Sequence, residues 1–267
     1  MPTVFQIDGL DSERAKWPEA ARAYIRWCER NSGRVATLAV TDSDRVADRL
    51  EERYGVRIPA IPYGAELADP PDSGLCARLG VEPGRFVLFV GRLVPENNAH
   101  LLVRAHAESG VDWPLVIVGD APYAREYTDA LRAGAGPRVH FTGYLFGDGY
   151  AELVRRAGVM CVPTEVGGTH PVIVEGMAGG APLLVSDHGP NLEVVGDTAA
   201  TFPLGEGVPG LARELAALVG DPARRTRLGE AAADRARARF SWDVCTDRYL
   251  ALIAAARERA GERGVSR

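Results

Sequence analysis

No window of this chain approaches eighteen uninterrupted apolar residues, so nothing in it reads as a membrane span. The N-terminal MPTVFQIDGLDSER lacks the basic stretch and apolar run of an export signal. Cysteine is scarce. Cys28, Cys76, Cys161 and Cys245 lie far apart without CxxC spacing, which excludes a disulfide scaffold and suits a reducing cytoplasm. His100, His106, His140, His170 and His188 show no metal-ligand spacing with one another, so no metal site is expected. The chain also lacks a basic footprint. Arginine greatly outnumbers lysine, but the basic residues are spread along a sequence of net charge −5, and no nucleic-acid partner is expected. GxSxG, Walker A and a strand followed by GxGxxG are all missing, which removes the usual supports for P-loop and hydride-transfer chemistry.

What the chain does have is apolar substance, 46% of 267 residues, arranged in alternation. From about residue 86, short β-branched runs recur: FVLFVG (86–91), LVIVG (115–119), RVHFT (138–142), GVMCVP (158–163), APLLVS (181–186) and AATFPL (199–204). Between them NAHLLVRAHAES, YAREYTDALRAG and DGYAELVRRA carry apolar residues at steps of three and four, the helical period. The alternation predicts an α/β fold with a Rossmann-like, doubly wound parallel sheet. Continuous apolar strands fit a sheet covered by helices on both faces.

Residues 1–64 repeat the alternation in short form: TVFQI, a helix over roughly 13–31, TLAVT, the capped helix SDRVADRLEERYG, and IPAIPYG. This predicts a partial second Rossmann-like domain, thin for its edges and faces. The Pro- and Gly-rich YGAELADPPDSGL places a linker at 65–74, followed by a larger domain over 75–240. Helices are expected at about 207–220 and 222–239. In the terminal segment 241–267, Trp242, Val244, Tyr249, Leu250, Leu252 and Ile253 are expected to form a packed stripe.

Two segments could carry chemistry. FVLFV runs into GRLVPENN, where Gly91 permits a tight turn and Arg92 comes to the ligand-binding edge of the sheet. A guanidinium there can form paired charge-assisted bonds to phosphate oxygens. In EVGGTHPVIVEGMA, Gly167 and Gly168 allow close backbone approach and positive φ, Thr169 can cap a helix, and Pro171 suits its first turn. The amides from Thr169 to Ile173, Val172 among them, would then form an anion nest reinforced by the helix dipole. Glu175, about one turn in, would repel phosphate but could accept hydrogen bonds from a ribose diol. For each there is a plainer alternative: a surface Arg, a first-turn acid, and for His170 a hydrogen-bonding loop residue in preference to a catalytic base.

Taken together, GRLVPENN, the VGD after LVIVG, HFTGYL, PTEVGGTHPVIVEGMAGGAPLLVSD and NLEVVGD resemble the donor-binding half of family 4 retaining glycosyltransferases of GT-B architecture, over about residues 75–255. DGLDSERAKW, DRLEERYG and IPYGAE resemble the end of the acceptor domain of a rhamnosyltransferase-like bacterial subgroup, and the SWD helix resembles the segment that crosses back onto that domain. The resemblance implies a cytoplasmic hexosyltransferase, peripheral at the inner membrane face, that passes sugar from a nucleoside diphosphate sugar to a sugar or small-molecule acceptor with retention. The departing phosphate would help to deprotonate the acceptor, in a polysaccharide or secondary-metabolite pathway, without cofactor or metal. It puts Arg92 on the diphosphate, the amides of Gly168 to Val172 beside it, Glu175 on the ribose, and Tyr144 and Leu145 beside the base.

Three features depart from the family pattern. A lysine commonly found five residues after the Arg is here Asn97, whose amide would have to stand in. Eight residues before Glu175 the pattern has Glu, and here stands Gly167; Glu165 is two residues out of register and gets no role. Finally, two such domains need about 300–400 residues. The acceptor domain is therefore expected to lack its first strands, the reading frame starting downstream of the true start or the protein being split or degenerate. The competing readings are a non-catalytic nucleotide-sugar-binding subunit docking on a separate acceptor domain, and a nucleotide-sugar 2-epimerase, which would call for more acid/base residues around the crevice.

Overall fold

The computed structural model describes residues 3–14, 17–67 and 72–265. The chain opens with a β-α-β unit: β1 (Val4–Ile7), α1 (Glu19–Val35) and β2 (Leu38–Thr41), the strands pairing in parallel from Val4 opposite Leu38 to Ile7 opposite Thr41. Helix α2 (Asp44–Tyr54) follows, with the Ser43 side chain accepting from the Val46 amide and Gly55 closing it at φ 64°, as its punctuation predicts. Helix α1 begins at Glu19, not near residue 13. Pro18 disfavours helical backbone before it, and a short 3-10 turn at Asp11–Glu13 stands apart. At its other end α1 runs past residue 31, where Asn31 donates to the Trp27 carbonyl at 2.7 Å and Ser32 to that of Glu29 at 2.7 Å. IPAIPYG yields a single bridge, Thr41 to Ala60, in place of a third strand, since Pro59 and Pro62 have no N–H to give a ladder. Of the linker expected at 65–74, residues 68–71 lie outside the described residues.

The larger unit comprises, in order, α3 (Leu75–Leu79), β3 (Val87–Val90), α4 (Ala99–Glu108), β4 (Leu115–Val118), α5 (Arg125–Ala133), β5 (Val139–Gly143), α6 (Gly147–Arg156), β6 (Val159–Val162), α7 (Pro171–Ala178), β7 (Leu183–Ser186), α8 (Gly189–Val195), β8 (Ala200–Phe202), α9 (Gly207–Gly220) and α10 (Pro222–Arg239). All six strands lie parallel in the order β5-β4-β3-β6-β7-β8. Alternate side chains of the same strands enter two separate cores. Leu88, Val116, Met160, Leu183 and Val185 pack on one face, while Val87, Phe89, Leu115, Ile117, Val159 and Leu184 pack on the other. The central strands are therefore dry on both faces, which is why they read as apolar runs, while the edge strand β5 is only half-buried. The winding starts at β3, proceeds outward to β5, then returns to β6 and proceeds the other way, so the order reverses between β3 and β6.

One buried acid pins the start of this unit. Glu152 on α6 accepts hydrogen bonds from the Ser73 amide at 2.8 Å and the Cys76 amide at 3.0 Å, and also from the Ser73 hydroxyl. Burial alone would raise its pKa, but these bonds to the charged form outweigh it and hold the carboxyl down at about 2. The folded pKa lies below the unfolded one, so this contribution is present above the ordinary carboxylate range and is lost as pH falls through about 2. Urea midpoints measured between pH 6 and 3 should therefore drop less steeply for Glu152→Gln than for the parent, from a lower starting value.

The last helix, α11 (Trp242–Val265), returns to the first sheet, where the Tyr249 hydroxyl donates to the Gln6 side chain at 2.7 Å. The expected stripe needs correcting. Trp242, Leu250 and Ile253 are exposed at 55%, 58% and 44%. The stripe that packs instead runs through Cys245, Tyr249, Leu252 and Ala256, at steps of four, three and four, with Cys245 and Ala256 fully buried. Trp242 still has a partner, since its indole occupies the space a Cβ on Gly64 would need.

Candidate functional site

The reversal between β3 and β6 leaves a crevice at their carboxyl ends, the position where open α/β sheets take ligands. Three glycines shape its rim. The Gly91 amide donates to Val118 and the Gly119 amide to Gly143, and a Cβ on Gly119, at φ 125°, would collide with the Gly91 carbonyl. Strands β3, β4 and β5 can thus end in close mutual contact. After Gly91, the carbonyl of Arg92 accepts from the Val94 amide at 2.9 Å and from the Asn97 side chain at 2.8 Å. Asn98 follows at φ 57°, the sole positive φ outside glycine among the described residues. Its amide donates to the Pro163 carbonyl at 3.0 Å and to the Glu165 carboxylate at 3.2 Å, and the Glu165 amide donates to Glu96 at 3.2 Å. Glu165, given no role from sequence, thus ties the loop after β3 to the loop after β6.

Two adjoining cavities occupy the crevice. The first, of about 360 Å³, is lined by Gly91, Arg92, Asn97, the whole Gly167–Val172 loop and Glu175, joined from the first sheet by Asp8, Arg14 and Tyr63. The second, of about 260 Å³, is lined by Tyr144, Leu145, Phe146 and Tyr150 and shares Gly91 and Glu175 with the first. Every residue singled out from sequence lines one cavity or the other. Tyr144 is held by its hydroxyl on the Asp120 carbonyl at 3.1 Å and stacks on Phe146 at 6.4 Å between centroids. Glu175 lies at the junction and accepts a hydrogen bond from Tyr150, whose phenol is pushed well up, by burial first and then by the Glu175 charge.

The GGTHP loop differs in detail from its expected form. Gly167 does adopt positive φ, at 124°, and His188 holds its carbonyl at 3.1 Å. Gly168 does not, but a Cβ there would collide with the carboxylate of Asp42. Thr169 caps no helix: its hydroxyl donates to the Asp42 carbonyl at 2.6 Å and its amide to the Asp42 carboxylate at 2.7 Å. His170 takes the N-cap position of α7, ahead of Pro171. Its pKa is pushed down to about 4, by burial first and then by His188, Arg14 and Arg92, so the ring is neutral at neutral pH, and its shielded Nε2 has no hydrogen-bond partner among the described residues.

Chemically the cleft is prepared for an anion. The guanidinium of Arg92 is exposed and forms no ion pair among the described residues. Arg14 brings a second positive charge, oriented by Asp11 at 2.6 Å and Glu96 at 3.5 Å. The amides of Gly168, His170 and Val172 have no recorded partner among the described residues, whereas those of Thr169 and Ile173 are taken. Among the described residues no group of three or more His, Cys, Asp or Glu is arranged to hold a metal ion, and no helix is long and apolar enough to cross a membrane. Asp8, Arg14, Tyr63 and Asp42 were not found from the sequence. They come from the first sheet, and only its docking brings them to a cleft built by the second.

A parallel sheet with a crevice at its point of reversal defines a doubly wound α/β protein. More closely, the chain belongs to the glycosyl transferases group 1 family, whose model matches residues 78–235. It is 32% identical to D-inositol 3-phosphate glycosyltransferase of Nocardia farcinica, over 83% of this chain and 53% of the relative. It is 25% identical to alpha-D-kanosaminyltransferase of Streptomyces kanamyceticus, over 85% of this chain and 62% of the relative. The chain thus spans between half and two-thirds of the length of these relatives. Anabaena HepE in complex with UDP-glucose superposes with a TM-score of 0.80 at 21% identity, covering 95% of this chain and 72% of HepE. Sucrose-phosphate synthase from Thermosynechococcus elongatus gives a TM-score of 0.76 at 23% identity, covering 94% and 68%. These likenesses show the GT-B fold.

Proposed function

We propose that the crevice binds a nucleoside diphosphate sugar and that the protein transfers the sugar, with retention, to a hydroxyl on a sugar or small-molecule acceptor entering from the side of the first sheet. The observation that carries this is the unpaired Arg92 facing open amides at the start of α7, with a carboxylate, Glu175, at the mouth of an aromatic-walled second cavity. The diphosphate charge is met by Arg92, Arg14 and those amides. The base rests in the cavity of Tyr144 and Leu145, and Glu175 accepts from the ribose. Asn97 supports indirectly, because its amide fixes the Arg92 carbonyl. Kinship to named glycosyltransferases supports the reading. Work on such substrates is expected in the cytoplasm, at the inner face of the membrane when the acceptor is lipid-borne.

Calorimetric titration with UDP, GDP and dTDP tests donor binding, and folded protein that binds none of them would refute it. The role of Glu175 has its own test. The parent should prefer a ribonucleoside diphosphate to its 2′-deoxy analogue, and Glu175→Ala should shrink that preference by about tenfold, as expected when one well-shielded hydrogen bond to a charged group is removed. An unchanged ratio would move Glu175 off the sugar.

A second reading, a donor-binding subunit that docks on a separate acceptor partner, is favoured by exposed apolar rings on the first sheet and α1: Phe5 at 48%, Tyr24 at 67% and Trp27 at 62%. Turnover of donor and acceptor by the chain alone would dismiss it.

A further inference from the structure

We propose that Asp42, at the end of β2, is a positioning residue for the donor loop, and that its buried carboxyl makes its hold on that loop depend on pH. The inference rests on the donor reading above and assigns a control to the same site. Asp42 is fully buried, and it reaches across from the first sheet to grip Thr169 twice, through its carboxylate and its carbonyl. Gly168 has given up its side chain to let that carboxylate in. With Thr169 tied on both its amide and its hydroxyl, the loop is fixed between the open amides of Gly168 and His170. Conformational freedom there is spent before the ligand arrives, which is what makes a preformed site tight.

The second half of the argument concerns charge. No cation is ion-paired with Asp42 among the described residues. What faces it are the Asp8 carboxyl at the end of β1, the Tyr63 phenol, which also hydrogen-bonds Asp8, Tyr249 from α11, and the Thr169 amide from the loop. Burial first, and then the neighbouring Asp8, push the Asp42 carboxyl up to about 7, against the pull of the Thr169 amide. A buried carboxyl with a second carboxyl beside it and no ion pair of its own among the described residues ionises only at a cost. Below about 7 the Asp42 carboxyl keeps its proton and still presents an oxygen to the Thr169 amide. Above it a buried negative charge stands beneath a loop meant for an anion. Since the folded pKa exceeds the unfolded one, the folded state binds the extra proton between about 4 and 7, and stability falls as pH rises through that window.

The test uses UDP-glucose, GDP-mannose and dTDP-glucose, whose esterified diphosphates do not titrate near neutrality. For whichever binds, affinity of the parent should fall severalfold from pH 6 to pH 8.5. Asp42→Asn keeps an acceptor for the Thr169 amide without the charge, so its affinity should be flat across that range. Asp42→Ala, which drops the grip, should bind at least tenfold more weakly at pH 6. A parent-like pH slope in Asp42→Asn, or parent-like binding by Asp42→Ala, would overturn the proposal. If no donor binds, the donor reading fails separately, and thermal melting of the unliganded protein still decides this one. The parent midpoint should decline from pH 5.5 to 8.5 with Asp42→Asn nearly level, and equal slopes would refute the pH-dependent role of Asp42.

Discussion

Arg92→Gln should weaken nucleoside diphosphate binding by about 10- to 100-fold in calorimetry while leaving thermal stability unchanged. The side chain is exposed and forms no ion pair among the described residues, so its loss breaks none of those. In the complex it would make charge-assisted bonds, each worth about 1.5–3 kcal/mol when shielded, and about 1.4 kcal/mol corresponds to a tenfold change. Two features place the effect at the upper end for this protein. The lysine that often shares this work is replaced by Asn97, whose amide is spent on the Arg92 carbonyl, and the nearby Arg14 is already committed to Asp11 and Glu96. Arg92→Lys should recover less than half of the lost free energy, because an ammonium cannot reproduce the planar fork that engages two oxygens at once. Binding by Arg92→Gln within twofold of the parent would remove Arg92 from the diphosphate.

The second large effect is expected at Gly119, which borders the second cavity with backbone alone. Gly119→Ala should lower unfolding stability by about 1–3 kcal/mol and weaken nucleotide binding together, since the backbone at φ 125° disfavours any side chain and the new methyl would meet the Gly91 carbonyl. Gly91 carries Arg92, so relief of that collision shifts the turn that presents the guanidinium. Gly136→Ala is the control: φ there is not positive and nothing lies within 4 Å of a new Cβ, so urea denaturation should place it within about 0.5 kcal/mol of the parent. Equal behaviour of the two variants would show that the crevice rim tolerates movement.

The six strands of the larger sheet were legible because the central ones are apolar runs separated by segments of helical period, and β5 keeps β-branched and aromatic residues beside His140 and Thr142. Helix α2 was legible for the same reason, from Ser43 and Gly55. Local pattern failed where a single residue type decided the outcome: Pro18 moved the start of α1, and Pro59 and Pro62 reduced a strand to a bridge. The site divides along the same line. Arg92, Glu175 and the glycines lie at strand ends whose order the sequence displays. Asp42 sits 127 residues away along the chain from the Thr169 it grips, and no spacing rule connects it or Asp8 with the loop. Thr169 was misread as a cap because the sequence shows its hydroxyl but not the Asp42 carbonyl that claims it.

The start of α2 is held in an unusual way. Glu193 on α8 accepts from the Ser43 hydroxyl at 2.7 Å and from the amides of Asp44 and Arg45 at 2.8 and 2.9 Å. The helix therefore borrows its terminus from the other sheet, and hinging apart would strand three donors at once, at a cost of about 0.5–2 kcal/mol for a lost cap. The borrowed cap is a keystone: the same β2–α2 corner that Glu193 seats also carries Asp42, so the joint between the two sheets and the grip on Thr169 share one support.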